Sequence, residues 1–346
     1  MSLSSRQRPE KADVAVVVVN YRTPDLTMRC LASLLSERER LPRLTALVVD
    51  GGSSDGSAST LGRSLRGSKY REWVKFLPLE INGGFGWANN QAILMLARSE
   101  QPPEFIYLLN PDTEVREGAV FELVAELQKN SRCGAAGSQL LSFGDRATPS
   151  AFRFPTSGRE LANAANSEKL ARLLRVAPTV IDSEQDLDVD WVTGASVMLR
   201  AEALRECGLF DDGFFLYFDE VELLHRFRAR DWTVRYVPRS RVMHVEGAST
   251  GAGARASRLP RYWYESRRRY FGLTGGKLAV LGANLGWFVG RALRLGKAAL
   301  GKSGPDALRS IDLLRFSGLP HQGDVIPSVA KWGEEPGRPP AWMGRP

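Results

Sequence analysis

Short apolar runs recur along the first third of the chain, and each of them ends in a polar loop. Residues 14–19, 44–49, 73–79 and 105–109 are rich in β-branched and aromatic side chains, and they are too short for helices. These runs predict buried strands. Helices are predicted to begin at Thr23, as N-cap before Pro24, to cover residues 91–98, and to follow Gly118 for about a dozen residues.

Strands that alternate with helices predict an α/β fold, in which a mostly parallel sheet is covered by helices on both faces. Because the crossovers are right-handed, the loops after the strands should meet at the carboxyl edge of the sheet. The pattern weakens over residues 150–190, where we expect short helices and a mobile loop. It resumes with strand-like runs at 191–199 and 233–237.

Charge is unevenly distributed along the chain. The 346 residues carry a formal charge of +8, yet residues 251–346 alone hold 16 basic and 6 acidic side chains. This change of composition, from Arg255 onward, suggests a domain boundary. A basic segment can meet anionic lipid or nucleic acid, or form an ordinary solvated surface. Cys30, Cys133 and Cys207 are widely separated, which predicts reduced, structural thiols.

Polar residues that could bind a ligand follow the predicted strands. Asp50 precedes the turn GGSSDGS, which could bind a nucleoside or could be a plain turn with Asp55 capping the next helix. The glycine-rich segment NGGFGWANN (82–90) lets backbone approach a phosphate or sugar closely. It lacks the glycine spacing of a dinucleotide-binding loop.

Further motifs suggest metal binding and proton transfer. Asp112 could hold Mg²⁺ or Mn²⁺ through its oxygens, or belong to a simple Asn-Pro-Asp turn. Asp219, Glu220 and Glu222 follow an aromatic run that could tune a general base, although a helix N-terminus also favours acids. His244 is either a structural histidine or part of a binding loop.

Taken together, these segments resemble the large inverting glycosyltransferase family two, which has the GT-A fold, and especially its rhamnosyltransferase-like bacterial members. The resemblance covers residues 12–250. It rests on VVNY (18–21), Asp50, NGGFGWANN (82–90), LNPDTEV (109–115), WVTGASVMLR (191–200) and FDDGFFLYFDEVELLHR (210–226).

The resemblance implies a role for each matching residue. The implied nucleotide-sugar site consists of Asn20, Tyr21, Asp50, Ser53, Asp55, Asn82, Gly83, Gly84, Phe85, Asn89, Asn110, Trp191 and Gly194. A divalent cation, Mg²⁺ or Mn²⁺, would be held by Asp112, Asn110 and His244, with Asn110 standing where the family has an aspartate. The implied catalytic base is Glu220, and Asp219 is the alternative.

The implied function is the inverting transfer of a sugar, by similarity rhamnose, from a dTDP- or UDP-sugar. The acceptor would be a glycan or a lipid-linked sugar in cell-surface polysaccharide or cell-wall synthesis. Residues 1–11 would be disordered, 12–254 would form the GT-A catalytic domain, and 255–346 a basic, amphipathic helical region with a loose end. The alternative is a catalytically silent nucleotide-sugar-binding or scaffolding protein on the same fold.

Residues 261–302 predict contact with an anionic membrane surface. Only 13 uncharged residues separate Lys277 from Arg291, too few to cross a bilayer but suited to a helix in the interface. A helix packed on the catalytic domain is the alternative. Because the N-terminus does not look like a signal peptide, we expect a cytoplasmic protein at the inner face of the plasma membrane. No recognised module supports nucleic-acid binding, so we predict no such partner.

Overall fold

The structure, a computed structural model, describes residues 9–67, 69–245, 259–299, 310–318 and 325–344. Its strands are β1 (Val14–Asn20), β2 (Thr45–Asp50), β3 (Val74–Pro78), β4 (Phe105–Leu109), β5 (Thr113–Val115), β6 (Cys133–Ser142), β7 (Arg146–Ala147), β8 (Ala151–Phe152), β9 (Val180–Ile181), β10 (Leu187–Val189), β11 (Trp191–Val192), β12 (Ser196–Arg200) and β13 (Thr233–His244). Its helices are α1 (Pro24–Ser33), α2 (Leu35–Arg40), α3 (Ser57–Ser64), α4 (Phe85–Ala97), α5 (Ala119–Lys129), α6 (Ser157–Ala165), α7 (Glu168–Leu173), α8 (Ala201–Cys207), α9 (Asp219–Arg228), α10 (Arg261–Ala299) and α11 (Ser310–Phe316).

The central sheet is built around β1, which has a parallel partner on each side, β2 and β4. β3 extends this unit beyond β2 in the same direction, so the four strands predicted first form one continuous parallel unit. β12 then runs antiparallel between β4 and β6, and β13 is parallel to β6. The predicted mostly parallel sheet is confirmed.

Both faces of this sheet are covered, because successive side chains of a strand point in opposite directions. On β1, Val16 and Val18 join the core that contains Leu31 of α1. Val17 joins the opposite core, which contains Ile93 of α4. The prediction of helices on both faces is therefore also confirmed.

Helix α4 begins at Phe85, so the prediction of a start at residue 91 is wrong. The residue before it, Gly84, has a φ of 86°, a left-handed conformation that favours glycine. The amide of Phe85 then donates a hydrogen bond to the carbonyl oxygen of Phe215, at 3.0 Å. This contact with a loop distant in the sequence fixes where the helix starts. The hydrophobic pattern around residues 85–97 gives no sign of it.

Helix α1 begins as predicted, with Thr23 at the N-cap position before Pro24. The hydroxyl of Thr23 makes no capping hydrogen bond, and it donates instead to Oδ1 of Asn20, at 3.3 Å. Another local prediction is wrong. The predicted strand 191–199 is interrupted, because β11 pairs with β8 in a separate three-stranded sheet while β12 lies in the central sheet. The interruption contains Gly194, where a Cβ would lie 3.4 Å from the ring of Phe85.

Residues 150–190 form α6, α7 and short strands, as the prediction of short helices required. The mobile loop expected there stays a prediction. β13 continues well past residue 237, with an irregularity between Val237 and Arg241. All three cysteines lie in the described part of the chain, and they are buried and free of disulfides, as predicted.

The C-terminal region packs on the catalytic domain, which was the alternative to membrane contact. Helix α10 is broken at Gly275 and Gly276, whose backbone is not helical. The half after this break packs so closely on α6 that a Cβ at Gly286 would lie 2.6 Å from the carbonyl oxygen of Ser157. The predicted boundary near residue 255 and most of the predicted disordered N-terminus lie outside the described residues; residues 9–11 form one turn of 3-10 helix.

Residues 325–344, which we call the C-terminal strap, also return to the catalytic domain and so differ from the predicted loose end. The amide of Leu209 donates to the carbonyl of Ala330, at 2.9 Å. Arg269 of α10 donates to both carboxylate oxygens of Asp211 and to the carbonyl of Ile326. The Arg269–Asp211 ion pair, which is fully buried, therefore joins three parts of the chain.

Replacing one partner of this pair should be strongly destabilising. Asp211→Asn would leave the buried guanidinium of Arg269 without a counter-charge, which costs about 3–5 kcal/mol of unfolding free energy. As a control, Asp145→Asn removes an exposed ion pair with Arg116, worth at most about 1 kcal/mol. Urea denaturation would compare the two variants, and equal, small losses would contradict the structural importance of the buried pair.

Candidate active site

Several predicted site residues meet at the carboxyl edge of the parallel strands. Asn20 and Asp50 end β1 and β2, and they are register partners. Asn110 follows β4, and its amide donates to the carbonyl of Ala195 at 3.0 Å, which joins this edge to the start of β12. Because adjacent strands lie about 4.8 Å apart, the ends of β2 and β4 are separated by about 10 Å. A bound nucleotide can reach across such a distance.

Asp50 is only 1% exposed, and both of its carboxylate oxygens have partners within the protein. Oδ1 accepts a hydrogen bond from Nδ2 of Asn20 at 2.7 Å, and Oδ2 accepts one from the amide of Ser53 at 2.9 Å. Asp50 therefore ties together the two loops of the predicted nucleoside pocket. A ligand could use only its remaining lone pairs.

Arg22, which is absent from the predicted set, bridges the same two loops. Its amide donates to Oγ of Ser53 and its guanidinium to Oγ of Ser54, both at 3.0 Å. The guanidinium also lies 5.0 Å from the ring centre of Tyr21. Arg22 has a φ of 59°, which is uncommon for a residue other than glycine and often marks a functional loop. Local sequence patterns do not reveal such a conformation.

Asp55 lies at the exposed end of the turn. Its Oδ1 accepts a hydrogen bond from the amide of Ser57 at 3.1 Å, at the start of α3. Hydrogen bonds from Ser57 lower the pKa of the Asp55 carboxyl. Asp55 thus closes the turn before Gly56, which is the N-cap of α3, and contact of Asp55 with a nucleotide stays a prediction.

Residues 82–85, which we call the glycine loop, lie beside this turn. A Cβ at Gly52 would lie 2.5 Å from the carbonyl carbon of Ile81, so the two loops are in direct contact. Within the glycine loop, Oδ1 of Asn82 accepts a hydrogen bond from the amide of Gly84 at 3.1 Å. The loop leads into the N-terminus of α4, where backbone amides and the helix dipole favour an anion.

Two residues of the predicted nucleotide-sugar site lie elsewhere than expected. Asn89 is buried within α4, where its Nδ2 donates to the carbonyl of Phe85 at 2.9 Å. Trp191 stacks on Phe152, with ring centres 4.2 Å apart, and lines a cavity together with Glu220. Asn89 thus stabilises the helix start, and Trp191 lies at the cavity that Glu220 lines.

Asp112 and His244 form the candidate metal site. Oδ1 of Asp112 lies 3.3 Å from Nε2 of His244, and both side chains are largely buried. Neither Oδ1 of Asp112 nor Nδ1 of His244 has a hydrogen-bond partner among the described residues. A buried carboxylate oxygen without a partner is costly, and a bound cation would satisfy it.

These residues fit a cation that is shared with a ligand. Within the described residues, no group of three or more His, Cys, Asp or Glu side chains could hold a metal alone. Mg²⁺ and related cations are commonly bound by one or two protein ligands together with substrate phosphates and water. Asp112 and His244 are candidates for two such ligands, and the amide oxygen of Asn110 is an additional candidate.

The three acids at the start of α9 have different surroundings. Asp219 is 2% exposed, while Glu220 borders a cavity of about 210 Å³. Glu222 is buried and accepts hydrogen bonds from Arg226 at 2.7 and 2.9 Å. Glu222 therefore has a structural role, and of the three acids Glu220 faces open space.

Burial raises the pKa of Asp219 well above its usual range, and the neighbouring carboxylate of Glu220 raises it further. Oδ2 of Asp219 also lacks a hydrogen-bond partner in the described structure. Two adjacent carboxyl groups share their charge unequally when one is desolvated. Asp219 is thus the member of the pair whose neutral form its surroundings favour.

The entry into α9 is strained. Tyr217 and Phe218, directly before the helix, have φ values of 68° and 62°. A left-handed residue other than glycine adds about 1–3 kcal/mol of strain to the folded state, and such residues tend to occur at functional sites. Here they precede the turn that brings Glu220 to its cavity, which Tyr217 and Trp263 also line.

Gly194 connects the glycine loop to the acid. A Cβ built on Gly194 would lie 3.4 Å from the ring of Phe85 and 3.7 Å from Cβ of Glu220. Ala195, the next residue, is the hydrogen-bond acceptor for Asn110. The end of β4, the glycine loop and Glu220 therefore border one site, although they are far apart in the sequence.

A sequence model described as "Glycosyl transferase family 2" matches residues 15–207, more than half of the chain. The chain belongs to glycosyl transferase family 2. The family and its sugar-transferring activity, both expected from the sequence, are confirmed.

Known proteins agree with this membership. N-acetylglucosaminyl-diphospho-decaprenol L-rhamnosyltransferase of Mycobacterium tuberculosis is 28% identical over 250 residues, which cover 68% of this chain and 77% of the relative. Rhamnosyltransferase WbbL of Escherichia coli K12 is 25% identical over 170 residues, 46% of this chain and 60% of the relative. The mannosyltransferase PcManGT from Pyrobaculum calidifontis, solved with GDP-Man and Mn²⁺, matches with a TM-score of 0.52 at 15% identity, over 88% of this chain and 79% of that one. The rhamnosyltransferase-like relationship and the GT-A fold are confirmed.

Asp219→Asn should change how the stability of this family 2 enzyme depends on pH. Because the folded-state pKa of Asp219 is raised, the stability that its neutral form contributes is complete below about pH 4 and is lost as pH rises toward the folded pKa. Asparagine resembles the neutral acid at every pH. The unfolding free energy of the variant minus that of the wild type should therefore increase from about pH 5 to about pH 8.

Urea denaturation at both pH values would measure this difference. A difference that stays constant with pH would mean that Asp219 is ionised in the folded protein, and the distinction between the two acids would then be incorrect.

Proposed function

We propose that this glycosyltransferase transfers rhamnose from a dTDP- or UDP-linked donor to a glycan or lipid-linked acceptor, with inversion, in cell-surface polysaccharide synthesis. Two relatives are named as rhamnosyltransferases, and the name of the mycobacterial relative includes a decaprenol-linked diphosphosugar. The observation that carries the proposal is that Glu220 lines a cavity while its Cβ lies 3.7 Å from a Cβ built on Gly194, which in turn contacts Phe85 of the glycine loop.

The donor would lie along the edge of the parallel strands. Its nucleoside would occupy the pocket organised by Asn20, Tyr21 and Asp50, next to the guanidinium of Arg22. Its diphosphate would then follow the glycine loop to the N-terminus of α4, where amides favour negative charge. This path ends beside Gly194, and the reactive carbon of the sugar would therefore be presented to Glu220.

Asp112 and His244, with Asn110, would hold a divalent cation at the diphosphate. PcManGT, which was solved with Mn²⁺, supports the choice of Mg²⁺ or Mn²⁺. So does Oδ1 of Asp112, which accepts no hydrogen bond within the described residues and has Nε2 of His244 at 3.3 Å. When bound, such an ion neutralises charge that develops on the leaving diphosphate.

Glu220 would act as general base in a single displacement. It accepts the proton of an acceptor hydroxyl while the oxygen forms a bond to the anomeric carbon and the bond to the diphosphate breaks. Asp219, whose buried surroundings favour its neutral form, lies next to Glu220 in the chain. Because the attack comes from the face opposite the leaving group and no enzyme nucleophile is needed, the configuration at the anomeric carbon inverts.

Glu220→Gln should reduce kcat at least about 100-fold, because it removes the base but keeps the shape of the side chain. Release of nucleoside diphosphate in the presence of dTDP-rhamnose and acceptor would measure turnover. Binding of dTDP should be unchanged, since Glu220 lies beyond the diphosphate.

Glu202→Gln is the matched control, because Glu202 is exposed at the start of α8, away from this edge. Near-normal turnover of Glu220→Gln would mean that another group is the base. If the wild type binds nucleotide sugars but transfers nothing to any acceptor, the chain would be a silent nucleotide-sugar-binding or scaffolding protein.

We further propose that the second half of α10 lies on an anionic membrane surface at the inner face of the plasma membrane. One face of this half carries apolar side chains at helical spacing, with exposures between 42% and 81%. We call this set the leucine stripe: Leu278, Leu281, Leu285, Val289 and Leu293. Exposed Lys277 begins this half of the helix, and Arg294 and Lys297 lie near its end.

An exposed apolar stripe with cationic neighbours is typical of a helix that lies in the interface of a bilayer. No helix within the described residues is long and apolar enough to cross a membrane. Gly282, Gly286 and Gly290 pack on α6 along one flank of the stripe, and the side chains on the side of the helix opposite the stripe, Val280, Ala283 and Trp287, are buried. The stripe is therefore the face that remains for a lipid surface, which suits a lipid-linked acceptor.

Leu278→Ser combined with Leu285→Ser should weaken binding to vesicles that contain anionic lipid. These two residues are 81% and 65% exposed, so the change removes apolar contact with lipid and leaves the protein core intact. Flotation with phosphatidylglycerol-containing liposomes would measure it. Met95→Ser, on an exposed part of α4, is the control and should float like the wild type. Equal flotation of all three proteins would contradict membrane contact through the stripe.

A further inference from the structure

The C-terminal strap lies more than 100 residues beyond the family-matched residues 15–207 in the sequence. In the structure it nevertheless ends at the glycine loop, which is one of the matched segments. Its first part is fixed to the loop before α9. The amide of Asp212 donates to the carbonyl of Ser328 at 3.0 Å, and the amide of Ser328 donates to Oδ2 of Asp211 at 3.1 Å. Through Asp211, this anchor also includes the buried guanidinium of Arg269.

The middle of the strap crosses α4. Nε1 of Trp87 donates to the carbonyl of Arg338 at 2.6 Å. The amide of Gly337 donates to Oε1 of Gln91, one turn further along the same helix. Both α4 side chains are buried. These two hydrogen bonds fix the backbone of the strap across the first turns of the helix that the glycine loop leads into.

The end of the strap contacts the glycine loop itself. A Cβ at Gly83 would lie 2.2 Å from the ring of Trp87 and 2.9 Å from Cγ of Pro340, so Gly83 is enclosed between these two residues. The ring of Trp342 packs edge-on against Phe215, with centres 5.6 Å apart and planes at 89°. Phe215 is the residue whose carbonyl accepts the amide hydrogen bond at the start of α4.

We propose that the C-terminal strap is part of the donor site, where it holds the glycine loop in the conformation that binds the diphosphate of a nucleotide sugar. This inference rests on the proposed function for the identity of the ligand. The strap contacts the loop directly, through Pro340 on Gly83. It contacts the loop indirectly through Trp342, which packs on Phe215, the acceptor of the Phe85 amide. The functional unit of this chain therefore extends to about residue 344, beyond the part that the family shares.

The strap acts as a positioning element. Gly83 and Gly84 lack side chains, so the loop cannot fix its own conformation by packing. A loop that must close on each binding event has a lower apparent affinity, because only the competent fraction binds. Support from Pro340 and Trp342 would keep the loop in the competent conformation and so avoid this loss of affinity for the nucleotide sugar.

Trp342→Ala in the full-length protein would test the proposal. Loss of the edge-to-face contact should increase hydrogen exchange of the amides of residues 83–86 without ligand. It should also weaken binding of dTDP or UDP, whichever binds the wild type, by about tenfold. The donor KM should rise in proportion while kcat changes less. Trp342→Phe keeps an aromatic ring and should restore both loop protection and affinity.

Met343→Ala is the matched control, because Met343 is the exposed neighbour of Trp342 and should leave loop exchange and nucleotide affinity unchanged. Unaltered exchange in Trp342→Ala, or an equal change in Met343→Ala, would overturn the proposal. If Trp342→Ala loosens the loop but the wild type binds no nucleotide, the strap holds the loop and the proposed donor is wrong. Hydrogen exchange therefore separates the two failures.

Discussion

The hydrogen bond from the amide of Phe85 to the carbonyl of Phe215 is the contact on which the site depends. It joins the glycine loop to the segment that leads into α9, and so relates the predicted donor site to Glu220. A Cβ at Gly84 would lie 2.0 Å from this carbonyl oxygen, so the approach is possible only with glycine there. Because the contact is between backbones, it defines the spacing of the two loops more rigidly than side-chain packing could.

How far the sequence predicts this structure depends on the range of the interactions involved. β1, β2 and β4 follow from local apolar runs, since a strand buried on both faces has a distinctive composition. The start of α4 does not follow, because it is set by Phe215, which lies far along the chain. Arg22 and the strap were missed for the same reason: a left-handed φ and a distant packing partner leave no periodic signal.

The acids illustrate a second limit. Asp219, Glu220 and Glu222 are equivalent in the sequence, and only burial separates them. Asp219 is desolvated and has a raised pKa, Glu220 faces the cavity, and Glu222 is paired with Arg226. The resemblance to the family favoured Glu220, and the geometry supports that choice for a physical reason, since a base must be accessible to the acceptor hydroxyl. Motifs in the sequence were enough to propose roles for the binding residues. They could not predict which of these residues are buried and which are exposed.

The break in α10 has a consequence for how an acceptor would reach the site. Before Gly275, the helix contributes Trp263 to the cavity at Glu220; after Gly276, it carries the leucine stripe. Both features belong to one helical element that is fixed to the domain by Arg269 and by its packing on α6. If the stripe lies on a bilayer, the cavity is held at a constant height above the lipid. A sugar on a lipid diphosphate could then enter the cavity from the side of Trp263 while the lipid chain stays in the membrane. In that case the depth of the cavity would select the acceptor hydroxyl, and the lipid itself would not need to be recognised.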